Sequence, residues 1–141
     1  MSIWSRPLDL LAINSFNKDT LVSHLGIEIT GFGDNYLEAK MPVDSRTVQP
    51  FRLLHGGASC VLAESLGSIA ANLTLNDPDS MAVGQHIEAT HLKSASSGFV
   101  TGRAIAVHLG KSSQMWRIEI YSEDNKLLCD SKLLIAIVKK R

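Results

Sequence analysis

Cysteine is scarce in this chain. Cys60 and Cys129 are the only two, and their spacing is neither that of a metal-binding pair nor that of a redox dithiol. Both are expected to be small buried residues, and a disulfide is not expected in a reducing compartment. No apolar run approaches the roughly 18 residues of a membrane span. The longest clear one, residues 133–138, has the length of a strand. The first residues, Met-Ser-Ile-Trp-Ser-Arg-Pro, lack the basic start and apolar centre of a signal peptide, so a cytoplasmic location is expected. Neither sign of charge is in excess. Lys+Arg and Asp+Glu balance at 14 each, which leaves no general basic field to attract nucleic acid. Repeats, low-complexity tracts and linkers are missing too, and 141 residues suit one domain, 1–141, with a core of its own.

One stretch that is present organises the rest. Between Leu53 and Asn76 the only charged residue is Glu64, with His55 counted neutral. Residues 58–75 read as a helix. Leu62, Leu66, Ile69 and Leu73 fall on one aliphatic face, while Gly57, Cys60, Gly67, Ser68 and Ala71 surround Glu64 on the other. A helix with no face made for water is expected to be buried, and its small residues invite a second backbone or a ligand close. Carboxylates are rarely buried without a partner, so Glu64 is a candidate functional group. Gly56 and Gly57 stand where the helix begins. Unpaired N–H groups and the positive end of the helix dipole would there make a seat for a carbonyl oxygen or an anion. The preceding loop, residues 42–51, carries Asp44, Ser45, Arg46, Thr47 and Gln49 toward that turn, well placed to line a site.

Most of the remainder reads as strand. Residues 8–25 are weakly helical, with Leu8, Leu11, Ala12 and Phe16 at helical spacing and a break within 14–20. Strands are expected at 26–30, 36–41, 81–94, 99–107, 114–121 and 127–138. Leu37, Ala39 and Met41 alternate with Glu38 and Lys40, and Trp116, Ile118 and Ile120 alternate with Arg117 and Glu119, so one sheet face is buried. Hairpin-length connections predict an antiparallel meander after the helix. One long helix among strands predicts an α+β architecture, a curved antiparallel sheet folded around that helix, with self-association covering what stays open.

Other constellations carry less. His86, Glu88 and His91 do not share one strand face and lack the helical His-Glu-x-x-His spacing of a metal site. Ser59, Ser65 and Ser68 lie on the helix without a Gly-x-Ser-x-Gly elbow, which disfavours a serine hydrolase. Ser68, one turn after Glu64, is placed to bond to it, to a ligand or to its own helix. His91 and Lys93 share a strand face, and Lys111-Ser112 follows Gly110 in a turn, groups able to hold phosphates.

The segments Met41-Pro42-Val43-Asp44-Ser45-Arg46-Thr47, Gln49-Pro50-Phe51, Leu54-His55-Gly56-Gly57, Leu62-Ala63-Glu64-Ser65-Leu66-Gly67-Ser68 and His108-Leu109-Gly110 together resemble one family. It is that of the hotdog-fold acyl-CoA thioesterases, in the phenylacetate-pathway and Arthrobacter-type 4-hydroxybenzoyl-CoA branch. Within it the chain is most similar to the bacterial 1,4-dihydroxy-2-naphthoyl-CoA thioesterases and the enterobactin proofreading thioesterases. The resemblance spans almost the whole chain. It implies a homodimer with two active sites at its interface, often paired into a tetramer. Glu64 becomes the nucleophile or general base, and Gln49, His55 and Gly56 come from the facing subunit. The Gly56 N–H then polarises the thioester carbonyl, while His55 and Gln49 orient substrate or water. Ser68 lines the acyl pocket, and Gly84, His91, Lys93, Ser94, Gly110, Lys111 and Ser112 surround the pantetheine and nucleotide ends of CoA. Relatives often carry Asn-His-x-Arg where this chain has Thr90-His91-Leu92-Lys93, and lysine lacks the bidentate phosphate contact of arginine. The implied function is hydrolysis of an aromatic acyl-CoA, 1,4-dihydroxy-2-naphthoyl-CoA first among them, with no metal and no cofactor beyond the CoA of the substrate. A carrier protein bearing pantetheine is the other substrate form, and neither nucleic acid nor membrane is a partner. A hotdog dehydratase or hydratase acting on enoyl thioesters, and a non-catalytic acyl-CoA-binding module, are the alternatives.

Overall fold

A computed structural model describes residues 1–141. The alternating stretches form antiparallel strands. Tyr36–Pro42 (β2) turns Leu37, Ala39 and Met41 wholly inward, and β1 (Glu28–Phe32) pairs with it. The long helix α3 (Gly56–Leu73) begins two residues earlier than the sequence suggests, because His55 caps it. Four strands follow: β3 (Ser80–His91), β4 (Phe99–Leu109), β5 (Ser113–Tyr121) and β6 (Leu127–Lys139). Two short helices come first, α1 (Leu10–Phe16) and α2 (Leu21–His24), separated by the expected break. No helix is long and apolar enough to cross a membrane.

The six strands make one antiparallel sheet in the order β1-β2-β4-β5-β6-β3, and α3 lies against β2 through β6. This is the hotdog arrangement. Leu62, Ala63, Leu66 and Ala70 of α3 meet Val100, Trp116, Ile118, Ile120, Leu133 and Ile135 of the sheet, all fully buried. Of the second backbone or ligand expected beside the small residues, it is the sheet that meets Gly67, and Ala71 is buried as well. Gly67 permits this contact, since a Cβ there would collide with the side chain of Leu133.

Two expectations change. The meander runs only from β4 to β6: β3 pairs with β6 at the sheet edge, while β4 lies between β2 and β5. Residues 92–98 therefore cross the ends of β6 and β5 instead of closing a hairpin. Three strand spacings amount to about 14 Å. Eight extended residue steps reach about 26 Å, so the same short segment serves either topology. Second, β3 ends at His91, so Lys93 and Ser94 belong to this crossing and do not continue the face of His91. Leu11 and Phe16 of α1 are 83% and 88% exposed. Leu10 and Ile13 pack on the core instead. Asn14 adds a clamp on the outer strand β1, accepting from the Ile29 N–H at 2.8 Å and donating to the Ile29 carbonyl at 3.0 Å.

Candidate active site

The start of α3 is built by the loop before it. Thr47 is buried, donating its hydroxyl to the Pro42 carbonyl at 2.7 Å and accepting from the Asp44 N–H at 3.1 Å. The Arg46 guanidinium pairs with Asp44 and holds its carboxyl below the usual carboxylate range. The His55 N–H donates to the Thr47 carbonyl and the Gln49 N–H to the Leu53 carbonyl, both at 2.8 Å, so the loop returns on itself and presents Gln49 beside the helix start. The Gln49 side-chain carbonyl accepts from the Phe51 N–H, leaving its NH2 as the donor for anything bound.

His55 is the N-cap, and its Nδ1 accepts the Gly57 N–H at 2.7 Å. That nitrogen is therefore unprotonated, and a neutral ring carries its proton on Nε2. The Ala58 and Ser59 N–H groups both donate to the His55 carbonyl. Of the first-turn donors only the Gly56 N–H has no acceptor within the chain, so the two free glycine donors expected from sequence reduce to one. The His91 ring rests on Gly56, where a Cβ would sit 2.9 Å from its Nε2. Gln49, Gly56, Ser59, His91, Lys93 and Ser94 line a cavity of about 370 Å³ at this point.

Glu64 lies eight residues further along α3, about 12 Å down the helix axis. It is half-buried, and its carboxylate packs on Gly84 of β3, where a Cβ would stand 3.1 Å from Cδ and nearer still to Oε2. This places Gly84 at the carboxylate. No hydrogen bond or ion pair within the chain engages Glu64, and Ser68, half-buried one turn on, does not bond to it. Burial, with the Glu64 charge adding, pushes the Cys60 thiol up. Burial likewise pushes Cys129 up to about 11. Both thiols are free and remain protonated near neutrality, so neither is a ready nucleophile.

The expected CoA-binding residues do not all meet in one chain. Gly110, Lys111 and Ser112 form the β4–β5 turn, and the Ile137 N–H, opposite Ala82, donates to the Ser112 carbonyl. That is the Ala82–Gly84 end of β3, whereas His91, Lys93 and Ser94 lie at its other end, opposite Cys129. Nine strand residues, roughly 30 Å, separate the two ends. A larger groove of about 710 Å³ lies beyond Lys93, but Glu123 and Asp124 offset its two lysines, and it reaches neither Gly56 nor Glu64. No three His, Cys, Asp or Glu side chains come together as metal ligands. Sequence reasoning passed over Asn72, whose only signal was a polar residue two turns beyond Glu64 on the same helix face.

Comparison with known proteins decides the family, because residues 51–129 match the model of the thioesterase superfamily. The chain belongs to that superfamily. This thioesterase is 51% identical over 136 residues to the proofreading thioesterase EntH of Cronobacter turicensis, a match covering 96% of this chain and 98% of that one. It is 48% identical to the 1,4-dihydroxy-2-naphthoyl-CoA hydrolase of Escherichia coli K12, over 96% of this chain and 99% of that one. The crystal structure of a thioesterase from Haemophilus influenzae superposes with a TM-score of 0.94 at 45% identity, over 97% of this chain and 95% of that one. The thioesterase is thus a hotdog-fold thioester hydrolase.

Proposed function

We propose that this thioesterase hydrolyses an aromatic acyl-CoA, with 1,4-dihydroxy-2-naphthoyl-CoA as the first candidate, at sites that two copies of the chain complete together. One observation carries the reading: the free Gly56 N–H and the Glu64 carboxylate sit on one helix but about 12 Å apart, too far to act on one carbonyl. The open edge of β3 supplies the remedy. The Leu92 N–H donates to the Leu128 carbonyl, so strand alternation turns the backbone groups of residues 86, 88 and 90 toward β6. Those of Ile87, Ala89 and His91 are left on the outer edge, a template for a second copy of β3. Antiparallel pairing over 84–91 sets Gly84, which bears Glu64, across from His91, which rests on Gly56. It also brings the Lys111 turn of one copy toward the Lys93 end of the other, where CoA phosphates would lie.

In such a site the Gly56 N–H meets the oxygen of the thioester carbonyl, a donor worth about 3 kcal/mol as negative charge develops. Gln49 and His55 orient substrate or water. Glu64 either takes a proton from water as the water oxygen bonds to the carbonyl carbon, or bonds to that carbon itself and forms an anhydride that water opens. In both routes the carbon–sulfur bond breaks, its electron pair leaves on sulfur, and the products are a free thiol and a carboxylic acid. Single turnover in labelled water separates them, since label in the Glu64 carboxylate supports the anhydride. The relatives' names support both a dihydroxynaphthoyl-CoA and a proofreading substrate. The test is therefore thiol release from aromatic and aliphatic acyl-CoAs and from carrier-bound aryl thioesters, by the native protein and by Glu64→Gln. The expected result is a native preference for aromatic esters and a loss of several powers of ten in the variant with binding retained. Binding without thiol release by either protein sinks the reading.

A further inference from the structure

We propose that Asn72 is a positioning residue for Glu64; the inference rests on the catalytic reading of Glu64 above. Asn72 lies on the last turn of α3, two turns beyond Glu64 and on the same face. Its Oδ1 accepts the Ala82 N–H at 2.9 Å and its Nδ2 donates to the Ala82 carbonyl at 2.9 Å, while the same NH2 also reaches the Ser68 carbonyl at 2.8 Å. The amide therefore pairs with one residue of the edge strand as a neighbouring strand would, and ties it to the helix that carries Glu64.

The place of this clamp matters more than its energy. Ala82 is two residues before Gly84 and on the same strand face. Just after Gly84 the ladder to β6 is broken by a bulge between Gly84 and His86. Strand segments beside a bulge lose regular pairing, so within one chain the seat of the carboxylate is held by one interrupted ladder and by Asn72, and the proposed pairing over 84–91 begins only beyond Ala82. Glu64 makes no hydrogen bond of its own within the chain, and its carboxylate packs on Gly84. A shift of β3 at Ala82 moves that seat, and a misplacement of about 1 Å at a reacting group costs on the order of a hundredfold in rate.

Asn14 provides the control. It clamps Ile29 on the opposite edge strand with the same reciprocal pair of bonds, far from Glu64 in the sheet order. The experiment compares kcat, KM and Tm per folded molecule for Asn72→Leu, Asn72→Asp and Asn14→Leu, with amide exchange at Ala82 and Gly84. Asn72→Leu is expected to lose about tenfold or more in kcat with KM changed less than about threefold, and to exchange faster at both amides. Asn72→Asp keeps the acceptor for the Ala82 N–H and should fall between it and native. Asn14→Leu should lower Tm and leave kcat unchanged. Native kcat in folded Asn72→Leu, or in Asn72→Asp if the leucine variant does not fold, overturns the proposal, as does an equal loss of kcat in Asn14→Leu. Native turnover in Glu64→Gln instead overturns the catalytic reading and this inference with it, whatever the amide exchange of the Asn72 variants shows.

Discussion

The contact between Glu64 and Gly84 sets the sharpest requirement on any single side chain. The carboxylate lies where a Cβ on residue 84 would be, and the strand cannot recede without leaving β6. Gly84→Ala should therefore rotate Glu64 away. On the proposed role of Glu64 we expect a fall in kcat of about a hundredfold with thermal stability nearly retained, measured by steady-state thiol release beside a melting curve. An alanine variant with native kcat would show that the seat is not needed. Glu64 itself was legible in the sequence because it is the one charge in a long uncharged stretch. Its seat was not, since nothing local links positions 64 and 84. The contact exists only once β3 is placed at the sheet edge.

The helix start holds a second separable role. His55 caps α3 through Nδ1, and losing an N-cap costs about 1 kcal/mol. Asparagine can cap in the same way but has no imidazole Nε2–H. His55→Ala is expected to lower both Tm and activity, whereas His55→Asn should restore Tm toward native and leave activity low. Recovery of both by asparagine would assign His55 to structure alone. At the other end of the helix, Asp77 in the following turn pairs with Lys139 of β6 and accepts from the Asp79 N–H and the Ser80 hydroxyl. These bonds, Lys139 first, lower its pKa from 3.8 to about 2. A carboxyl depressed in the folded state binds fewer protons there than in the unfolded chain, so its stabilisation is present above about pH 4 and is lost as pH falls toward 2. Asp77→Asn should flatten the decline of Tm over that window, and an unchanged acid slope would contradict the assignment. At this scale the half-buried strands were readable from alternation, as with Leu37, Ala39 and Met41, and with Trp116, Ile118 and Ile120. The helical spacing within residues 8–25 was readable, but it could not tell which residues pack: Leu11 and Phe16 are exposed, while Leu10 and Ile13 meet the core. The order of β3 and β4 was misread because residues 92–98 are long enough for either connection.

At the scale of the whole molecule, one chain presents half of two things. It offers a donor, Gly56, beside a cavity at one end of α3, and a carboxylate, Glu64, over the opposite end of an open strand. The proposed pairing of β3 with its copy joins them and gives two equivalent sites per dimer. The most direct test is subunit complementation between Glu64→Gln and His55→Ala, each inactive alone, mixed under conditions that let subunits exchange. Sites shared between copies predict recovery to roughly one quarter of native turnover, because half of the dimers are mixed and one of their two sites carries neither substitution. A mixture in which exchange is demonstrated and turnover stays as low as in either variant alone would contradict the shared site.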